Sequence, residues 1–308
     1  MPLLAPAVIA VRISWEKRRN RGDVFVKPAP FNYVKPSSVG DALSILGEHP
    51  DAVVLAGGQS LLPMLNMRLV APSHVVDITG LPALNEISVA DGWLRLGALL
   101  RHCDLAASQT VAEAAPLLQE AACHIGHPAI RNRGTIGGSL ALADPAAELP
   151  ACLLAIGGRI EIQGLDGKRV VEAATFFTGT FETVLKQGEI LRAVEVPVLA
   201  AEYRSVFDEL ARRHGDYALA GLAALGRINN GNVRDLRLAF FAAGDKPALA
   251  VTAAQFLEGK TLSEANIDDA VALIGDDIHP IGQPGCGEQT KLHHCGVLAK
   301  RALSRMAA

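Results

Sequence analysis

Two Gly-Gly pairs, each in a loop that also carries hydroxyl groups, constrain this chain more than any other feature. The first lies in Ala56-Gly57-Gly58-Gln59-Ser60-Leu61, directly after the apolar strand predicted for residues 53–55, and the second in Gly134-Thr135-Ile136-Gly137-Gly138-Ser139. Adjacent glycines let consecutive backbone N–H groups point into one concavity, which binds phosphate oxygens without a basic side chain. A Gly-Gly pair alone is more typical of a plain turn. The two together predict a diphosphate held from two sides.

The residue types in and after the loops add to this prediction. We expect Gly57 and Gly137 to need both a positive φ and a close approach to the ligand. Glu148, downstream of the second loop, is a carboxylate able to accept hydrogen bonds from a ribose. Side chains that can add hydrogen-bond donors are Gln59, Ser60, Thr135 and Ser139.

The order of predicted elements divides the chain into three parts. Residues 1–25 differ from the rest and are interpreted as an N-terminal appendage or a mis-assigned start. Residues 26–197 mix strands and helices, and we divide them into subdomains at about 26–80 and 81–197. Residues 198–308 show strands followed by helices, which predicts a separate α+β unit.

Hydrophobic spacing and turn signals place the individual elements. Ser37 or Ser38 is a predicted helix cap, and Asp91-Gly92 and Asp166-Gly167 are hairpin signatures. The predicted helices cover residues 42–46, 111–122, 145–155, 248–257, 263–274 and 288–306. The predicted strands cover residues 53–55, 75–78, 87–89, 93–96, 159–163, 168–171, 188–197, 203–209, 217–228 and 233–242.

Composition and motif spacing argue against several classes of protein. The formal net charge of −3 disfavours a domain built around nucleic-acid phosphates. There is no run of about 20 apolar residues, so we predict no membrane span. The five cysteines form no C-x-x-C pair, which favours reduced thiols and, with no secretory signal, a cytoplasmic protein. No G-x-G-x-x-G after a strand, no H-E-x-x-H and no G-x-S-x-G is present. We therefore predict no catalytic side-chain set and no metal site.

The two loops and a third segment, Gly188-Glu189-Ile190-Leu191, occur in the order and spacing of a known family. Together they resemble the FAD-binding (medium) subunit of the molybdenum hydroxylases, the xanthine dehydrogenase and carbon monoxide dehydrogenase family. The segment Lys27-Pro28-Ala29-Pro30-Phe31 is similar to the usual start of such subunits, and the resemblance extends to about residue 303. It implies an α+β chain in which a PCMH-type FAD-binding domain of two α/β subdomains clasps FAD. A C-terminal α+β domain follows.

The resemblance also implies cofactor contacts, residue by residue. Ile125 falls on an apolar position that lines the cofactor, and Leu191 on a backbone position near the flavin ring. Glu148 takes the place of a family Asp. Tyr217 aligns with an aromatic that lies against the isoalloxazine in carbon monoxide dehydrogenase-like members. The implied FAD-binding residues are Ala56, Gly57, Gly58, Gln59, Ser60, Leu61, Ile125, Thr135, Ile136, Gly137, Gly138, Ser139, Glu148, Leu191 and Tyr217.

The chain departs from the family pattern at three places. Gln59 stands where many relatives have His, and Ser139 where Asn is common; both keep a hydrogen-bond donor. Relatives often carry a Lys in the stretch that here is Phe207-Asp208-Glu209-Leu210. A cation near the flavin stabilises its reduced anion, so the tuning of the flavin potential is left open. Arg212 and Arg213 are the candidates to replace that cation.

The function that the resemblance implies is electron transfer. A molybdenum-containing large subunit oxidises a substrate, and electrons pass through a 2Fe-2S small subunit to this FAD and on to NAD, a quinone or another acceptor. The substrate, the final acceptor and the stoichiometry are not specified by this chain. Two alternatives stay open: a stand-alone flavin oxidoreductase of similar fold, and a non-catalytic nucleotide-binding or assembly module.

Overall fold

The computed structural model describes residues 27–307, so the predicted appendage at residues 1–25 lies outside the described residues. The described chain begins with a parallel sheet of three strands in the order β1-β3-β2. Its elements are β1 (Asn32–Val34), α1 (Val39–Glu48), β2 (Val53–Leu55), α2 (Leu61–Asn66) and β3 (His74–Asp77), followed by a 3₁₀ turn at Pro82–Leu84.

Helix α1 forms where a capping serine precedes helically spaced apolar residues. Ser38 Oγ accepts a hydrogen bond from Asp41 N–H at 3.1 Å, which satisfies one of the unpaired amides of the first turn. Leu43 and Leu46 are buried on one face of the helix and share a core cluster with Val76 of β3. The helix therefore holds the parallel sheet from one side.

A five-stranded antiparallel sheet follows, in the order β4-β5-β10-β6-β7. Asp91 and Gly92 adopt φ values of 51° and 77°, the left-handed pair of a two-residue hairpin turn, so the Asp-Gly signal sets the register of β4 and β5. The strands are β4 (Ile87–Ala90), β5 (Trp93–Gly97), β6 (Arg159–Gly164), β7 (Gly167–Glu172) and β10 (Ile190–Pro197). The helices are α3 (His102–Ala107), α4 (Gln109–Ala114), α5 (Pro116–His124), α6 (Pro128–Arg131), α7 (Ile136–Leu142), α8 (Glu148–Ile156) and α9 (Ala173–Phe176). A two-stranded pair is formed by β8 (Phe177–Gly179) and β9 (Glu182–Thr183).

The last part of the chain is a four-stranded antiparallel sheet in the order β11-β12-β13-β14, with helices packed on it. Alternate residues of β12 face these helices, because strand side chains alternate between faces. Leu222 and Ala224, for example, are buried in the hydrophobic core that the sheet and the helices share. The elements are β11 (Tyr203–Ala211), β12 (Ala218–Asn229), β13 (Asn232–Phe241), β14 (Ala248–Leu249), α10 (Val251–Leu257), α11 (Glu264–Ala272), a 3₁₀ turn at Ile274–Asp276 and α12 (Glu288–Ala307).

The predicted fold class is confirmed: mixed strands and helices are followed by a sheet and then helices. Two predicted elements are wrong in detail. The helix predicted for residues 111–122 is interrupted at Ala115, because Pro116 lacks an N–H and starts a new helix. Residues 248–249 pair with β13 and the helix begins only at Val251. Among residues 27–307 no helix combines the length and apolar character needed to cross a bilayer.

Candidate functional site

A cleft of about 600 Å³ opens where the parallel sheet, the five-stranded sheet and the loop between β11 and β12 come together. Its wall includes residues from the segments 52–64, 125–130, 134–148, 181–191 and 215–217. Both predicted Gly-Gly loops therefore face one cavity.

The first loop, residues 56–60, follows the carboxyl end of β2 and supplies free backbone donors. The N–H groups of residues 57–60 donate to no partner among residues 27–307. Gly58 adopts φ 74°, a left-handed conformation that favours glycine. The Gln59 amide reaches only Gly57 O, at 3.5 Å, so it too is available to a ligand. Consecutive unpaired amides of this kind form an anion-binding concavity.

The two loops touch each other at Gly57. A Cβ added there would lie 2.3 Å from Arg133 O and 2.8 Å from Gly134 Cα, so no side chain fits between the loops. Gly57 and Gly137 are not among the glycines with positive φ, and the expectation of left-handed backbone at these two positions is wrong. Close approach of backbone to backbone requires glycine here. At Gly137 the obstacle is Ala98, 2.6 Å from the added Cβ.

The second loop has a different role. Contrary to the predicted turn, residues 136–139 form the first turn of α7. Among the amides of residues 134–139, only that of Thr135 has no hydrogen-bond partner in the described part of the chain. Gly134 N–H donates to Ile130 O, and Gly137 N–H donates to Ala98 O at 2.8 Å. Gly138 N–H donates to the Thr135 hydroxyl, which caps α7, and Ser139 N–H donates to Thr135 O. The expectation that both loops offer amides to one diphosphate is therefore wrong for the second loop. What this loop offers is a wall of hydrogen-bonded backbone, with Thr135 and Ser139 as its polar side chains.

Ile136 is the one predicted residue that does not line the cleft. Its side chain is fully buried in the core between α7 and the five-stranded sheet, and its N–H donates to Leu100 O at 2.9 Å. The predicted residues that do line the cleft are Ala56, Gly57, Gly58, Gln59, Ser60, Leu61, Ile125, Thr135, Gly137, Gly138, Ser139, Glu148, Leu191 and Tyr217.

Carboxyl groups and one tyrosine gather at the end of the cleft beside α8. Burial raises the pKa of Glu148 to about 8, and the charges of Glu209 and Asp144 add to this effect. Burial also raises the pKa of Asp144. Desolvation, followed by the charges of Asp144 and Glu148, raises the pKa of Tyr217, whose ring is 73% exposed over the cleft. At pH 7 Glu148 is therefore mainly protonated, and it can both donate and accept a hydrogen bond.

The wall at residues 181–189 was missed by sequence reasoning. Arg169 makes a bidentate pair with Glu189, at 2.8 and 2.6 Å, and donates to Val184 O at 2.8 Å. These bonds fix the segment that carries Lys186, the only lysine or arginine on the described cleft wall. The Gly188-Glu189 turn was the available signal, but nothing local pairs Glu189 with Arg169 on β7.

Two histidines on the wall were also not predicted as site residues. His102 is 5% exposed, and neither ring nitrogen has a hydrogen-bond partner in the described part of the chain. Burial lowers the pKa of His102 to about 4, so the ring is neutral at pH 7. The ring packs against Gly134. His127 lies at the opposite end, against the loop that carries Tyr217. The sequence places His127 before Pro128 but does not show what its ring contacts.

The cation suggested as a replacement for the family lysine is not found in the cleft. Arg212 donates to Pro284 O at 2.9 Å, and neither Arg212 nor Arg213 lines the cleft. Among residues 27–307 no three His, Cys, Asp or Glu side chains are arranged as a metal site.

Comparison with known proteins identifies two matched regions. Residues 29–199 match the family described as FAD binding domain in molybdopterin dehydrogenase. Residues 205–306 match the CO dehydrogenase flavoprotein C-terminal domain.

Relatives and solved structures cover almost the whole chain. The 6-hydroxypseudooxynicotine dehydrogenase complex subunit alpha of Paenarthrobacter nicotinovorans is 38% identical, over 91% of this chain and 95% of that protein. A structure of carbon monoxide dehydrogenase from Hydrogenophaga pseudoflava superposes with a TM-score of 0.88 at 36% identity, covering 90% of this chain and 97% of that one. Quinoline 2-oxidoreductase from Pseudomonas putida 86 gives 0.87 at 37% identity, covering 91% and 98%.

Proposed function

Because the chain belongs to the family of FAD-binding medium subunits of molybdenum hydroxylases, we propose that the cleft binds FAD and that the protein relays electrons within a multi-subunit dehydrogenase. The observation that carries the proposal is the first loop. Four consecutive residues, 57–60, carry unpaired amides on the wall of the cleft, and Gly57, Gly58, Gly137 and Gly138 leave that part of the wall without side chains. A dinucleotide diphosphate is the group that such a surface recognises.

In this proposal the two loops divide the work of holding the diphosphate. Amides of residues 57–60, with the Ser60 hydroxyl, donate to its oxygens. The second loop closes the opposite side through Gly134 and Gly137, and its remaining donors are the Thr135 amide and the hydroxyls of Thr135 and Ser139. Since Lys186 is the one lysine or arginine on the described wall, recognition rests mainly on neutral donors.

The other predicted contacts orient the two ends of the cofactor. Glu148, protonated at pH 7, can donate to and accept from sugar or ribityl hydroxyls. Ile125 and Leu191 give an apolar wall, and Tyr217 offers an exposed ring to the flavin. FAD, when bound, supplies redox chemistry that connects one-electron and two-electron partners. The side chains bind and orient, and we assign none of them a bond-making step.

We propose a 2Fe-2S small subunit and a molybdenum-containing large subunit as partners, with NAD, a quinone or another small oxidant as electron acceptor. Relatives are a dehydrogenase complex subunit and a medium chain, which supports assembly with other chains. We place the boundary between the FAD-binding and C-terminal domains near residue 198; the two family matches end and begin at 199 and 205. The five cysteines are unpaired, which supports the proposed cytoplasmic location.

The first test is the cofactor. Protein purified from its native source should be yellow, and flavin released by denaturation should co-migrate with FAD at about one per chain. A correctly folded, colourless protein that FAD does not reconstitute would refute the site and favour a non-catalytic module.

The second test is the assembly. The chain, tagged at its native locus, should co-purify with one iron–sulfur chain and one molybdenum chain, detected by mass spectrometry and metal analysis. A yellow protein that elutes alone from fresh lysate would contradict the relay and favour the stand-alone flavin oxidoreductase.

A further inference from the structure

The loop that carries Tyr217 over the cleft lies outside the sheet that it connects. Strands β11 and β12 pair as far as Ala211 and Ala218, so residues 212–217 extend beyond the last pair. Within the loop the described residues form a single backbone hydrogen bond, from Asp216 N–H to Arg213 O at 3.1 Å. Sheet hydrogen bonds therefore do not fix the position of the Tyr217 ring. Contacts between the 212–217 loop and the rest of the molecule must fix it.

One such contact is the imidazole of His127 against Gly215. A Cβ added to Gly215 would lie 2.4 Å from His127 Cε1, 2.6 Å from Nδ1 and 2.9 Å from Nε2. The ring thus occupies the space that a side chain at position 215 would take. Gly215 also has φ 86°, a conformation that glycine adopts without strain. His214 adds an edge-to-face contact with the same imidazole, with ring centroids 6.5 Å apart.

The backbone at His127 is held in place by hydrogen bonds. Arg131 donates to Ile125 O at 3.0 Å and to Gly126 O at 2.9 Å, which fixes the turn before the histidine. The His127 carbonyl accepts from the N–H groups of Ile130 and Arg131, and Pro128 restricts the backbone at the start of α6. The backbone that carries the imidazole is therefore fixed on the part of the chain that carries the glycine loops.

We propose that His127 is a positioning residue: by packing on Gly215 it holds the 212–217 loop so that Tyr217 stands over the cleft. This rests on the proposed function, in which Tyr217 lies against the flavin ring. The contact joins the two family-matched parts of the chain at the cleft mouth. Since it acts by shape, an aromatic ring of similar width should replace it and a methyl group should not.

The first experiment needs no cofactor. Amide hydrogen exchange at Asp216, whose N–H makes the hydrogen bond within the loop, is compared in the full-length apo protein, in His127→Ala and in His127→Phe. We expect exchange about tenfold faster in His127→Ala and close to wild type in His127→Phe. Unchanged exchange in His127→Ala would overturn the proposal. Equal acceleration in both variants would overturn it too, because packing alone would not then explain the effect.

The second experiment uses flavin-loaded protein and tests whether His127 acts through Tyr217. Visible circular dichroism and flavin fluorescence are recorded for His127→Ala, Tyr217→Ala and the double variant. We expect His127→Ala to change both signals in the direction of Tyr217→Ala, and the double variant to match Tyr217→Ala alone. Additive changes would mean that His127 contacts the cofactor directly, contrary to the proposal. Failure of the wild type to bind FAD would refute the proposed function but leave the exchange result standing.

Discussion

Replacing Gly57 with alanine tests the contact between the two loops. The new Cβ would lie 2.3 Å from Arg133 O, whereas ordinary contacts begin near 3.4 Å, so the loops must separate by about 1 Å. The backbone at Gly57 is not left-handed, so the substitution introduces no φ strain. We expect the apo protein to relieve the clash by letting the two loops separate. Because FAD binding brings the loops together again, the free energy of the clash then lowers the affinity for FAD.

That cost can be expressed as lost affinity. Overpacking in a tight contact costs about 1–3 kcal/mol, and each 1.4 kcal/mol is about tenfold in a binding constant. We therefore expect the Kd for FAD to rise about 5- to 150-fold in Gly57→Ala. Titration of apo protein with FAD, followed by flavin fluorescence, measures this change. Thermal unfolding of the apo protein shows whether the fold itself is affected.

Gly287→Ala is the matched control, because a Cβ at Gly287 meets nothing within 4 Å and its φ is not positive. It should leave both affinity and stability unchanged. Ser60→Ala adds no atom to either loop and should weaken FAD binding about fivefold by removing one donor. Wild-type affinity in a folded Gly57→Ala protein would show that contact between the loops is not part of the site.

Three further predictions concern the rest of the cleft. Tyr217→Ala should leave FAD affinity within about threefold of wild type while changing the flavin spectrum and reoxidation rate, because the diphosphate contacts lie elsewhere. Arg169→Met should release the wall from Glu189, which weakens FAD binding and increases proteolysis near Lys186, measured by titration and limited trypsin digestion. Glu148 takes up a proton on folding between its ordinary pKa of 4.5 and its folded pKa of about 8, so apo stability should fall as pH rises through this window. Glu148→Gln should remove that slope, a few kcal/mol in urea unfolding at pH 9 relative to pH 5.

The elements of the fold followed from local signals. Asp91-Gly92 specifies a left-handed turn pair, and Ser38 caps a helix whose apolar residues recur at helical spacing. Both signals act over a few residues, so they can be read without knowing what the element packs against. The helix break at Pro116 was equally local, but the apolar pattern on both sides of it outweighed the proline in the prediction.

The parts of the site that sequence reasoning missed depend on contacts between distant segments. Glu189 is fixed by Arg169 on β7, two strands away from β10 in the sheet, and His127 packs on Gly215 in a loop far along the chain. The sequence predicted that glycine is needed at positions 57 and 137, but the predicted positive φ was wrong at both. A Gly-Gly pair looks the same in sequence whether a positive φ or close packing demands it.

The same limit explains why the two loops seemed equivalent. Residues 134–139 lie beside residues 98–102, whose carbonyls accept the amides of Ile136 and Gly137, so this loop is part of the core's hydrogen-bond network before any ligand binds. Residues 57–60 have no such neighbour and keep their donors free. A diphosphate between them would gain its hydrogen bonds from the first loop and its position from the second. The Gly57 contact is where these two contributions depend on each other, because there the donor loop packs directly against the rigid one.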